Sequence, residues 1–191
     1  MFKKILKYFA ILCVVLTLSV SGGVLGYIYK LSLELPSIKD LKDYEYKRPT
    51  IIYDRNGDTI AELGDERRYP LNIEEIPEML QNAVIAVEDA RFYDHGGVDL
   101  MGIMRAFITN VKAGRVVEGG STLTQQLVKI IYLTPEKKLK RKVKEAILAY
   151  RIDKALSKKK ILEMYLNQVY FGRGAYGVEA AAINYYAKTV S

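Results

Sequence analysis

At 191 residues the chain has room for one domain with a core of its own and a small anchor or appendage. A single cysteine, Cys13, and a single histidine, His95, exclude a disulfide framework within the chain, a Cys-based metal site and a His-rich metal centre, so carboxylates must carry most acid–base work. The 29 Lys and Arg against 22 Asp and Glu give a net charge of +7, which favours phosphates, nucleic acid or acidic lipid as partners without choosing among them.

Residues 1–7 form a basic tail with Lys3, Lys4 and Lys7, and residues 8–29 carry no charge. A helix of about 20 apolar residues spans the roughly 30 Å hydrocarbon core of a bilayer, so 8–29 reads as one transmembrane signal anchor. The positive-inside rule then keeps the tail in the cytoplasm and puts everything after Lys30 outside, as in a single-pass protein of the plasma (inner) membrane with an extracytoplasmic domain. A cleavable signal peptide competes, because Ser19-Val20-Ser21 offers small residues at a cleavage position. The run from Val24 to Tyr29 continues past that position and ends in interfacial tyrosines, which favours the anchor.

Residues 30–49, with Pro36, Pro49 and mixed charge, read as a stalk. Thr50 to Tyr53 and Thr59 to Leu63 flank Asp54-Arg55-Asn56-Gly57-Asp58, whose Asn-Gly pair supplies positive φ values for a tight turn, so a short β-hairpin is predicted. Beyond Pro77 the pattern is helical: Leu80, Ala83, Val84 and Val87 share one face, and Met101, Met104, Ile108 and Val111 another. Asp99, Ser121 and Ser157 are candidate N-caps, and 172–177 reads as a loop before a last helical stretch. The expected class is mainly α, an α+β fold with one small N-terminal hairpin.

Glu88 and Asp89 close the apolar stretch from Ala83 to Val87, which brings at least one carboxylate near the core side of its helix and would raise its pKa toward the range of a general base. A solvated helix end fits the same spacing. His95 is read as a positioning group. Gly119-Gly120 with Ser121, Thr122, Gln125 and Gln126 stands where a helix should begin. Exposed N–H groups there favour anions, and a capped polar first turn fits equally. Lys129 lies one turn after Gln125.

From Lys137 to Lys160, 11 basic residues accompany only Glu145 and Asp153, with Val143, Ile147 and Tyr150 as the expected buried stripe. Helical spacing puts Arg141 and Lys142 beside Glu145, an arrangement suited to a pyrophosphate or a metal, or to a basic face against anionic lipid. Ser157-Lys158-Lys159-Lys160 matches the Ser-x-x-Lys of penicillin-reactive enzymes but lacks the companion Ser-Asp-Asn and Lys-Thr-Gly elements, so it is set aside.

Five ordered motifs carry a family resemblance. Glu88, Asp89, Phe92, His95 and Gly97 match Glu-Asp-x-x-Phe-x-x-His-x-Gly, and Gly119 with Ser121 to Gln126 matches Gly-x-Ser-Thr-x-Thr-Gln-Gln. Arg141, Lys142 and Glu145, the run Lys158 to Asn167, and the run Arg173 to Ala181 supply the other three. The sequence resembles the peptidoglycan glycosyltransferases of family 51, found in class A penicillin-binding proteins and as monofunctional transglycosylases. That resemblance implies a lysozyme-like helical domain over residues 50–191 behind one transmembrane helix. It also implies that the domain is truncated at its C-terminal end, since family domains continue into further helices.

The implied reaction is polymerisation of lipid II: the GlcNAc 4-hydroxyl of the acceptor attacks MurNAc C1 of a donor on undecaprenyl pyrophosphate, with inversion. Glu88 is then the expected base. Lys129, Arg141 and Lys142 are expected to neutralise the pyrophosphate, and Glu145 to orient them or to hold a divalent cation, Mg or Mn. Expected substrate contacts are Asp89, His95, Ser121, Thr122, Gln125 and Gln126, with Asn167 and Arg173 further along. Lipid II, the nascent glycan strand and membrane lipid are the implied partners, other cell-wall synthesis proteins are candidates, and nucleic acid is disfavoured by the outward topology. A lytic glycan hydrolase and a non-catalytic basic protein of the membrane surface are the rival readings.

Overall fold

The computed structural model describes residues 2–38, 41, 44–47, 49–64, 66–133 and 138–190, so the stalk is described only in part and Lys137 lies outside. The chain divides into two compact units, Met1–Pro36 and Ser37–Ser191. The first is helix α1, Phe2–Leu33. Its stretch Lys4–Leu33, 30 residues, is long and apolar enough to cross a membrane. At 1.5 Å per residue that stretch measures about 45 Å, the thickness of a bilayer with its headgroups, so the helix outlasts the uncharged run at both ends and the first stalk residues are helical.

The second unit opens with the predicted hairpin. β1 (Thr50–Tyr53) pairs antiparallel with β2 (Thr59–Leu63), Thr50 opposite Leu63 and Ile52 opposite Ala61, with an irregularity before Tyr53. The turn works differently from the expectation. Only Gly57 takes a positive φ, +91°, while Asp54 Oδ1 accepts the N–H groups of Asn56 and Asp58 at 2.7 and 2.9 Å. A carboxylate that gathers its own turn leaves a single left-handed position to fill.

A short 3-10 turn, Ile73–Glu75, leads into α2 (Glu78–Glu88), α3 (Leu100–Ala113), α4 (Leu123–Tyr132), α5 (Lys138–Ala155) and α6 (Lys158–Gln168). The expected loop at 172–177 is instead a second hairpin: β3 (Tyr170–Gly172) and β4 (Ala175–Tyr176) pair antiparallel ahead of α7 (Val178–Tyr186). Arg173 and Gly174 both have positive φ, 50° and 75°, as a two-residue hairpin turn requires. Arg67 joins this sheet by donating to Gly174 O and accepting from Tyr176 N, both at 2.9 Å.

The core centres on α6, where every residue from Ile161 to Gln168 is buried, and α4 packs on both α5 and α6. A helix buried all round is the middle of a bundle. On α5 the buried stripe is Glu145, Leu148, Ala149 and Ile152, which corrects the expected Val143, Ile147 and Tyr150; Tyr150 is 56% exposed. The true stripe keeps the i, i+3, i+4, i+7 spacing but begins on a charged residue, so an apolar-only reading selects the wrong face. The apolar faces of α2 and α3 are largely open: Val87, Met101, Met104, Phe107 and Val111 are all exposed.

Candidate active site

The two carboxylates that end α2 separate. Glu88 is the last helical residue and is exposed, whereas Asp89, the C-cap, has left the helix at φ −161° and is buried. Asp89 faces His95 Nε2 with both oxygens at 3.0 Å and accepts the backbone N–H of Leu123 at 3.0 Å. The start of α4 was expected to attract an anion. It already has one, the protein's own Asp89.

Thr122, not Ser121, caps α4. Its hydroxyl accepts from Gln125 N and donates to Gly97 O, at 3.1 and 2.6 Å, while Gln125 Oε1 accepts Thr122 N at 3.1 Å. This reciprocal capping box satisfies N–H groups of the first turn and engages the Thr122 hydroxyl and the Gln125 amide oxygen. Ser121 and Gln126 remain near the surface. Gln126 Nε2 donates to Glu88 Oε2 at 2.9 Å, and Tyr165 Oη donates to Gln126 Oε1 at 3.3 Å. Burial, then the nearby Glu88 charge, pushes the Tyr165 phenol up to about 12. Tyr165 therefore belongs to the Glu88 environment, although the sequence offered it only as one letter of a motif.

On the other side of Ser121 stands the cationic cluster. Lys142 Nζ donates to Ser121 Oγ at 2.9 Å and lies 2.5 Å from Glu145 Oε2, and Arg141 Nε lies 3.2 Å from Glu145 Oε1. The predicted gathering of two cations on one carboxylate is thus present. Glu145 is 1% exposed, so it is a buried anchor and the cations are the groups that meet solvent. Both its oxygens face cations, and among the described residues no trio of His, Cys, Asp or Glu stands together. That donor set does not fit a protein-held Mg or Mn ion, which asks for several oxygen ligands. Lys129 is exposed in the last turn of α4.

Asn167 is 1% exposed, and its amide accepts from Leu71 N at 2.9 Å and donates to Leu71 O at 2.8 Å. It ties the segment before α2 to α6 and offers nothing to a ligand. Arg173 sits on the β3–β4 turn with its guanidinium 5.5 Å from the Tyr185 ring centre. Ser157 caps α6 by accepting Lys160 N at 3.2 Å, which explains the Ser-x-x-Lys coincidence as a helix start.

A family model described as Transglycosylase matches residues 56–191. The chain belongs to the transglycosylase family. The match opens in the β1–β2 turn and takes in every residue of the site; α1 lies ahead of it. Similar proteins include penicillin-binding protein 1A of Escherichia coli K12, 45% identical over 98% of this chain and 22% of that protein. Penicillin-binding protein 1A of Aquifex aeolicus is 46% identical over 88% of this chain and 23% of its own length, and that of Vibrio cholerae 41% identical over 99% and 22%. The chain thus spans under a quarter of these relatives. Arg91, Arg105 and Glu118, which the motif reading passed over, line a cavity beside Glu88 in this transglycosylase.

Proposed function

We propose that this chain is a peptidoglycan glycosyltransferase module that polymerises lipid II on the outer face of the plasma membrane. Its family and the names of its relatives support that reading, and one observation carries the chemistry: Gln126 holds Glu88 at the surface while Ser121, on the same α4 terminus, holds Lys142. A base and a cationic anion site therefore meet across one turn of backbone.

In the proposed step Glu88 takes the proton from the acceptor GlcNAc 4-hydroxyl as that oxygen bonds to the donor's MurNAc C1. The bond from C1 to the pyrophosphate oxygen breaks, and undecaprenyl pyrophosphate leaves with the electron pair. Arg141 and Lys142, fixed by Glu145 and assisted by Lys129, neutralise the departing charge. A hydrolase acting on glycan would have no use for these cations. α1 is the anchor that keeps the domain among its lipid-linked substrates, and the open apolar face of α3 supports contact with membrane lipid.

The test is polymerisation of labelled lipid II in detergent. Wild type forms glycan polymer, and Glu88→Gln lowers the rate by about 10²–10⁴-fold, the span of a lost general base. A fully active Glu88→Gln protein would remove Glu88 from the mechanism.

A further inference from the structure

The side chain of Gln126 lies between two partners of opposite character. Its Nε2 donates to Glu88 Oε2 at 2.9 Å, and its Oε1 accepts from Tyr165 Oη at 3.3 Å. A terminal amide has donors on one side and an acceptor on the other, so turning it end for end changes its chemistry and not its shape. Turned, it would offer Oε1 to Glu88, and an oxygen there suits only the protonated acid. The sense of one amide thus decides which form of Glu88 its surroundings favour.

Glu88 cannot hold that sense by itself, because a carboxyl group that has gained a proton donates to an amide oxygen as readily as it accepted from an amide nitrogen. The phenol can. Tyr165 sits in the part of α6 that is buried on every side and is itself 4% exposed. Burial, then the Glu88 charge, keeps its proton in place up to about pH 12, so its O–H is a donor at every pH where an ordinary carboxyl titrates. Among the described residues the acceptor it meets is Gln126 Oε1. Were the amide turned, the phenol would face an N–H and its own proton would lose that acceptor, which is costly for a buried donor.

The other charged groups about Glu88 are paired with one another. Asp89 and Arg91 after α2, Asp99 and Arg105 from α3, and Glu118 ahead of α4 share a cavity wall with it, and α6 adds Tyr165. Arg105 donates to Glu118 at 2.8 Å, Arg91 lies 3.7 Å from Asp99, and Asp89 faces His95. These pairs bear on Glu88 alike whether or not residue 165 carries a hydroxyl.

We propose that Tyr165 is a positioning residue: by donating to Gln126 Oε1 it fixes the amide with its N–H groups toward Glu88, and so keeps Glu88 in the proton-accepting form. The proposal rests on Glu88 as the base of glycosyl transfer and adds how that base is kept ready. After each transfer the same bias favours release of the proton that Glu88 has taken.

Tyr165→Phe tests this on the whole chain in detergent. In polymerisation of labelled lipid II, the acid limb of the pH–rate profile should move up by about one pH unit, which makes the loss of rate about tenfold greater at the foot of the limb than on its plateau. A larger shift is not expected, because the 3.3 Å bond is long and Glu88 is exposed to water. With carbon-13 in the glutamate carboxyls, NMR should show the Glu88 titration displaced in the same direction, its signal assigned by its loss in Glu88→Gln. Gln126→Met removes both contacts of the amide and should shift both readouts upward, and adding Tyr165→Phe to it should shift neither further. The proposal is overturned if Tyr165→Phe lowers the rate equally at every pH, if the Glu88 titration stays in place, or if Tyr165→Phe keeps its full effect beside Gln126→Met. A displaced Glu88 titration in a chain that never forms polymer would sink the proposed function and leave the assignment of Tyr165 standing.

Discussion

Asp89 has three hydrogen-bonding contacts within the chain. Its side chain is 4% exposed, both oxygens face His95, and one accepts Leu123 N. It holds the start of α4, and through it Ser121 and Gln126, in register with Glu88. Asp89→Asn leaves one good acceptor where there were two and removes the charge, so the domain should lose about 1.5–3 kcal/mol, the worth of a hydrogen bond to a charged group. Urea unfolding in detergent measures it, and an unchanged midpoint would mean that His95 and Leu123 find other partners. The sequence put at least one of these adjacent carboxylates near the core side of α2. Which of them turned inward depends on where α2 ends, and spacing fixes helix boundaries only to within a residue or two.

At the level of elements, the loop from α2 to α3 is locked to its neighbours from two sides. Lys158 Nζ donates to His95 O at 2.6 Å and lies 4.7 Å from the Phe92 ring centre, and Thr122 Oγ1 donates to Gly97 O. Gly97 has φ +85°, and a Cβ there would come within 2.4 Å of Ala149 O, a backbone atom of α5 that cannot swing aside. Gly97→Ala should therefore cost about 1–3 kcal/mol or more and lower the thermal midpoint, and a fully stable variant would show that the loop can lift off α5. The β1–β2 hairpin was legible because two short β-prone runs flank a stretch of turn formers that contains Asn56-Gly57. The β3–β4 hairpin was not, because five residues of strand around Arg173-Gly174 leave no periodicity to read and the residue that bridges to it, Arg67, is far away in sequence. Similarly, Arg141, Lys142 and Glu145 were legible through helical spacing alone, whereas the cavity beside Glu88 needs α3 and the 117–122 segment brought together, which no local pattern encodes.

On the scale of the whole molecule, three phenols in separate parts of the second unit resist ionisation. Burial, then the Glu163 charge, pushes Tyr46 up to about 12; burial, then its hydrogen bond to Glu62, does the same for Tyr69; and Tyr165 follows through burial and Glu88. Tyr46 lies in the stalk segment 30–49, Tyr69 Oη donates to Glu62 on β2 at 2.5 Å, and Tyr165 Oη donates to Gln126 on α4. A free phenol ionises near 10, so between about pH 10 and 12 the unfolded chain releases protons that the folded chain keeps. Stability contributed by these groups is complete below about pH 10 and is lost as pH rises toward 12. Following the urea midpoint together with tyrosinate absorbance from pH 8 to 12 should show a flat midpoint up to about pH 10 and a fall beyond it, with a subset of the 15 tyrosines ionising late. Tyr165→Phe should make that fall shallower, because the replacement ring has no proton to hold. A midpoint that stays level through pH 12 would mean that these phenols ionise as freely in the folded chain as in the unfolded one.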